Sequence, residues 1–147
     1  MEKGRILVVE DDPDISNLLR IYFDSQGYKV SVAPKGKEAL QACRRDLPNV
    51  IVLDIQLPDI DGYEVCRRLK ADERTKDIPV IFLTALGEIA DLMKGFQTGG
   101  VDYITKPFQY EEVLARVNAH ITIKRQQKQL QTQAAVLQDM NRQLKAI

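Results

Sequence analysis

Apolar positions along this chain fall into two alternating kinds of pattern. Short, nearly unbroken runs rich in Val and Ile occur at 5–9, 29–33, 50–53, 79–83 and 102–105. Runs of that length are expected of strands covered on both faces. Between them apolar residues return at helical spacing. Ile15, Leu18, Leu19, Tyr22 and Phe23 mark a first helix, and Ala39, Leu40 and Cys43 a second. Val65, Cys66 and Leu69 mark a third, Ile89, Leu92, Met93 and Phe96 a fourth, and Val113, Leu114 and Val117 a fifth. Asp12 is placed to cap the first helix, with Pro13 at its first position and Gly27 at its end.

Strict alternation of strand and helix implies a parallel sheet with helices on both faces. In such sheets the functional crevice lies outside the carboxyl ends of the strands. Those ends carry Glu10, Asp11 and Asp12, then Asp54, Thr84 and Lys106. If Glu10 and Asp11 face Asp54, each like-charge pair at ~4 Å costs ~4 kcal/mol near a protein surface. A divalent cation with oxygen ligands relieves that repulsion, and magnesium suits such a site. Beside a metal ion and the Lys106 ammonium, the Asp54 carboxylate can attack phosphorus, and the Thr84 hydroxyl can donate to a phosphoryl oxygen. Read singly, the same residues have plainer roles. The acids suit a helix N-terminus, and Asp54 with Pro58, Asp59 and Gly62 suits a turn. The joint pattern at four strand ends is what points to chemistry.

Composition narrows the classes. The 147 residues suit one domain, and 21 basic residues balance 21 acidic ones. No apolar run is long enough to span a bilayer, and the start of the chain does not read as a secretory signal, so a cytoplasmic location is the default. No basic stripe with interleaved aromatics suggests direct nucleic-acid binding. Cys43 and Cys66 read as buried, reduced small hydrophobes. The single histidine, His120, reads as a surface or helix-packing residue.

Four motifs carry a resemblance. Residues 7–13 read Leu-Val-Val-Glu-Asp-Asp-Pro, 53–62 Leu-Asp-Ile-Gln-Leu-Pro-Asp-Ile-Asp-Gly, 83–85 Leu-Thr-Ala, and 102–108 Asp-Tyr-Ile-Thr-Lys-Pro-Phe. In this order and spacing they resemble the receiver domain of two-component response regulators, over roughly residues 4–121. The resemblance implies a doubly wound α/β fold with a five-stranded parallel sheet of flavodoxin-like order 2-1-3-4-5. It implies Asp54 as phosphoacceptor, with magnesium (or manganese) on Asp11, Asp54 and the Gln56 backbone carbonyl, and Glu10 joining through water. It further implies Thr84 as the switch hydroxyl, Tyr103 as the aromatic that changes rotamer, Lys106 as the conserved-type lysine, and a cis Lys106–Pro107 bond. The implied phosphodonor is a sensor histidine kinase or a phosphotransfer protein. The implied output is a change in the face built by the fourth helix, fifth strand and fifth helix. Glu10 stands where many members have Asp, and Gly99-Gly100-Val101 replaces a more usual Gly-Ala-Asp.

Two rivals share parts of this pattern. An FMN carrier needs a phosphate-cradling loop after the first strand, where this chain is acidic. An aspartate-nucleophile phosphatase wants a carboxylate two residues after Asp54, where this chain has Gln56. The expectation is therefore a phosphoacceptor that assists only its own phosphorylation and dephosphorylation, rather than an enzyme acting on others.

Beyond residue 121 the chain has neither glycine nor proline. Ile123, Leu130, Leu137 and Leu144 recur every seven residues, with Gln126, Gln133, Met140 and Ile147 at the companion seam positions. The expectation is a domain over 1–121 and a helical extension over 122–147, a modest coiled coil that pairs two copies. The competing reading is a single solvated helix.

Overall fold

The computed structural model describes residues 3–85 and 92–146. Strands β1 (Arg5–Val9), β2 (Lys29–Ala33), β3 (Val50–Asp54), β4 (Val80–Ala85) and β5 (Asp102–Lys106) form one sheet in the order β2-β1-β3-β4-β5. Every pairing is parallel. Helices α1 (Pro13–Ser25), α2 (Gly36–Arg45), α3 (Gly62–Ala71) and α4 (Leu92–Gln97) fill the crossovers, and α5 (Tyr110–Ala146) follows the last strand.

Alternation along the strands sorts the core onto two faces. Leu7, Val9, Ile51, Leu53, Val80 and Phe82 meet Ala39 and Cys43 of α2 and Tyr63, Val65, Cys66 and Leu69 of α3. Ile6, Val8, Val52, Ile81, Leu83 and Ile104 meet Leu19 and Phe23 of α1 and Val113, Val117 and Ile121 of α5. Both faces of β1, β3 and β4 are therefore dry, which is why their sequences read as continuous apolar runs.

Three expectations need correction. The runs at 29–33 and 102–105 are not covered on both faces, because β2 and β5 lie at the margins of the sheet, where Val32 is 36% exposed and Thr105 is exposed. Leu18 keeps the helical spacing of α1 but is 50% exposed, since only one stripe of that helix meets the sheet. The fourth helical pattern is described only over Leu92–Gln97, and Ile89 lies outside the described residues.

Local chemistry sets the helix starts. The Asp12 side chain accepts from Asp14 N at 2.9 Å with Pro13 following, and Asp61 accepts from Glu64 N at 2.8 Å. At the end of α1, Gly27 takes φ +94°, a left-handed conformation that glycine enters without penalty. Helix α2 has no cap from its own Lys35. Asp59, from the loop after β3, supplies it, accepting from Gly36 N at 2.8 Å and Lys37 N at 2.9 Å.

Candidate functional site

The carboxyl ends of β1, β3, β4 and β5 bring Glu10, Asp11, Asp54, Thr84 and Lys106 to one edge of the sheet. Register accounts for the convergence. Asp54 ends β3 opposite Leu83, so Thr84 is the next residue along β4, and Ala85 lies opposite Lys106. Glu10 follows β1 directly and is anchored by its amide, which donates to the Ala33 carbonyl at 3.1 Å.

One carboxylate oxygen each from Glu10, Asp11 and Asp54 lies within 4.8 Å of the others. Glu10 and Asp54 are buried, whereas Asp11 is exposed. The Lys106 ammonium sits between the two buried acids, 2.7 Å from Asp54 Oδ2 and 2.9 Å from Glu10 Oε2. The contact to Glu10 is an ion pair without hydrogen-bond alignment, so that buried oxygen has no hydrogen-bond partner among the described residues. Asp54 Oδ1 accepts from Gln56 N at 3.0 Å, which fixes the carboxylate's rotation.

Electrostatics follow from this packing. Burial pushes the Glu10 carboxyl up to about 7; the adjoining Lys106 ammonium opposes the shift and the neighbouring Asp54 charge adds to it. Burial pulls the Lys106 ammonium down, but its bond to Asp54 and its ion pair with Glu10 outweigh that and leave its pKa raised. One ammonium against three carboxyl groups is not a balanced site. A hard divalent cation with oxygen ligands fits this donor set, and the orphaned Glu10 oxygen is a polar atom such a site can use through water.

Behind the acids the backbone is packed without slack. Gly62 N donates to the Ile55 carbonyl at 2.8 Å. A Cβ at Gly62 would collide with the Asp54 carbonyl oxygen and come within 2.8 Å of the Ile55 Cα. Beside Lys106 an open, largely apolar hollow of about 370 Å³ is walled by Ile15, Ala85, Pro107, Phe108 and Tyr110. The Lys106–Pro107 peptide is cis.

Tyr103 is half-buried on edge strand β5, opposite Phe82. Its ring lies 5.3 Å from that of Phe82 and 5.1 Å from that of Phe96. Phe82 in turn lies 5.3 Å from Tyr63 at the start of α3, and the Lys94 ammonium sits 5.1 Å from the Tyr63 ring centre. His120 packs against β5, its Nε2 3.1 Å from Asp102 Oδ2.

The structure thus brings together every strand-end residue singled out in the sequence except Asp12, which serves as the cap of α1. Sequence reasoning missed the Asp59 cap, the close approach at Gly62 and the rings stacked behind Tyr103. The Asp61-Gly62-Tyr63-Glu64 stretch, with its acid three residues before Glu64, was the one signal that α3 starts there.

Known proteins match this arrangement. The family model of the response regulator receiver domain matches residues 6–118. The DNA-binding dual master transcriptional regulator RpaA of Synechocystis sp. is 50% identical over 115 residues, covering 78% of this chain and 48% of that protein. The uncharacterized transcriptional regulatory protein YkoG of Bacillus subtilis is 44% identical over 120 residues, 81% of this chain and 51% of that protein. The chain spans about half the length of the curated relatives it matches. Among solved structures, a putative response regulator from Chloroflexus aurantiacus superposes with a TM-score of 0.77 at 37% identity, covering 81% of this chain and 98% of that one. The receiver domain of the sensor histidine kinase PA1611 from Pseudomonas aeruginosa, with a magnesium ion coordinated in its active site cleft, gives 0.75 at 32% identity, covering 81% and 98%.

Proposed function

This chain belongs to the response regulator receiver domain family, and on that premise we propose that Asp54 is the phosphoacceptor of a metal-assisted transfer. The observation that carries the reading is the Lys106 ammonium held 2.7 Å from the buried Asp54 carboxylate, within an acid cluster that has room for a cation.

The phosphodonor is a phosphohistidine on a sensor histidine kinase or phosphotransfer protein. An Asp54 oxygen forms the new P–O bond as the P–N bond breaks, and the electron pair of that bond returns to the donor imidazole. Glu10, Asp11, Asp54 and the Gln56 backbone carbonyl would hold magnesium or manganese, which supplies charge neutralisation for the phosphoryl oxygens. Lys106 exchanges its Asp54 partner for a phosphoryl oxygen, and the Thr84 hydroxyl donates to another. The phosphoryl group adds about −1.5 to −2 charges. Thr84 and Tyr103 respond, and the face of α4, β5 and α5 shifts its population. Catalysis is confined to the chain's own phosphoryl group, because Gln56 offers no acid or base for turnover.

The domain boundary lies after Ile121, the last buried residue of α5. The extension beyond it pairs two copies of the chain. A cytoplasmic location goes with a phosphohistidine made from ATP, and among the described residues no helix is long and apolar enough to cross a membrane.

Incubation with acetyl phosphate and magnesium tests the assignment. Wild type should gain one phosphoryl mass and Asp54→Asn none. Equal gain by the variant would assign the phosphoryl group to another residue.

A further inference from the structure

Helix α5 runs unbroken to Ala146, yet every residue from Arg125 to Ala146 is exposed. The last tether to the domain is the Arg125 guanidinium, which donates to the Lys3 carbonyl at 2.6 Å. A helix segment bathed on every side by water gains nothing from tertiary packing, the main source of helix stability in proteins. Its apolar side chains are correspondingly bare, with Leu130 64%, Leu137 61%, Met140 53% and Leu144 66% exposed.

The charges identify the occupant of this face. With Ile123, Leu130, Leu137 and Leu144 at seam position a, the charged residues of 122–147 are Lys124, Arg125, Lys128, Asp139, Arg142 and Lys145. All of them fall at b, c or f, the outer positions of a heptad. The flanking e and g positions hold Gln127, Gln129, Ala134, Val136, Asn141 and Gln143, none of them charged. A different partner would be selected by complementary charges at e and g. An uncharged flank on a basic helix instead suits an identical copy, because every like charge then points outward.

The glutamines identify the orientation. Gln126 and Gln133 occupy seam position d. In a parallel, in-register pair each amide faces its own counterpart and can exchange hydrogen bonds with it. In an antiparallel pair overlaid end to end, Gln126 meets Leu144 and Gln133 meets Leu137, which leaves buried amides unsatisfied. A polar seam residue of this kind sets register at some cost in stability.

We propose that residues 123–146 of two copies form a parallel, in-register two-stranded coiled coil whose register and orientation are set by the Gln126 and Gln133 layers. This deepens the pairing of copies proposed above and rests on it. Both domains then sit at the same end, and the glutamine layers fall in the half of the coil nearest them. The more apolar half, with Val136, Leu137, Met140 and Leu144, lies farthest away.

Disulfide trapping in the full chain tests the geometry. Leu130→Cys and Met140→Cys are made singly, with wild type, whose Cys43 and Cys66 are buried, as the control. The parallel arrangement predicts that each single variant, when oxidised, cross-links to itself and runs at twice the chain mass. An antiparallel pair places position 130 opposite 140, so that only a mixture of the two variants cross-links, and that result overturns the proposal. A chain that sediments as a monomer and cross-links in neither format overturns the pairing itself. Adding Gln126→Leu and Gln133→Leu to each variant should let mixed cross-links appear. Self-linking alone in that background would remove orientation from the glutamines.

Discussion

Gly62 presses its backbone against the carbonyl of Asp54 so closely that no side chain fits between them. The first residue of α3 is thereby locked to the strand end that carries the Asp54 carboxylate. Gly62→Ala forces that strand end or the helix to move, and overpacking of this kind costs about 1–3 kcal/mol. Urea unfolding should show the loss. Phosphoryl uptake from acetyl phosphate should slow as well, because Gln56 N no longer holds Asp54 Oδ1 in the same orientation. A variant as stable and as fast as wild type would show that the contact relaxes freely.

Lys106 is the only cation contacting both buried acids among the described residues. Lys106→Met leaves Glu10 and Asp54 facing one another without a counter-charge. Loss of one partner of a largely buried pair costs on the order of 2 kcal/mol here, since the lysine is partly solvated. In chelator the variant should melt lower than wild type, and added magnesium should recover part of the difference. A melting temperature unchanged in chelator would mean that the acids are already neutral or apart.

The Asp59 carboxylate caps α2 from another loop. Its desolvation, which raises its pKa, is outweighed by bonds from the Lys37, Ile60 and Gly36 amides, and the group is held at about 2 against an ordinary 3.8. Because the folded pKa lies below the unfolded one, the stabilisation is complete above about pH 5 and is lost progressively as pH falls through the folded value of about 2. Asp59→Ala should therefore cost about 1 kcal/mol near neutrality. Denaturant titrations from pH 6 down to pH 2 should show that gap narrowing only below about pH 5. A gap that stays constant across the range would mean the carboxylate's charge is irrelevant to the cap.

The stack behind Tyr103 makes a fourth expectation. Phe82 touches both Tyr63 and Tyr103, so Phe82→Leu removes two ring contacts from a fully buried position. Such pairs contribute about 0.5–1.5 kcal/mol each beyond area burial. Unfolding should report a loss of about 1–3 kcal/mol. Tyr103 should become more mobile, visible as broadened or averaged ring resonances in NMR spectra. Unchanged resonances would show that Phe96 alone holds the ring.

Much of this was legible in the chain because both periodicities are strong. Leu7, Val9, Ile51 and Leu53 alternate faces with Ile6, Val8, Val50 and Val52, and strands dry on both sides leave an unmistakable apolar run. Once alternation implied a parallel sheet, the strand-end rule selected Glu10, Asp11, Asp54, Thr84 and Lys106 with no distance in hand. What escaped depends on contacts between distant segments. The Asp59 bonds to Gly36 and Lys37 span more than twenty residues, and no local pattern distinguishes such an acid from an ordinary turn residue. Leu18 and Val32 misled because spacing tells which side chains share a face, and only topology tells whether anything covers it.

The central claim is that the Asp54 side chain becomes a mixed anhydride with phosphate. Borohydride reduces an acyl phosphate to the alcohol, so protein incubated with acetyl phosphate and magnesium, then reduced and digested, should carry homoserine at position 54. Homoserine at Asp11, Asp12 or any other acid, with Asp54 intact, would contradict it.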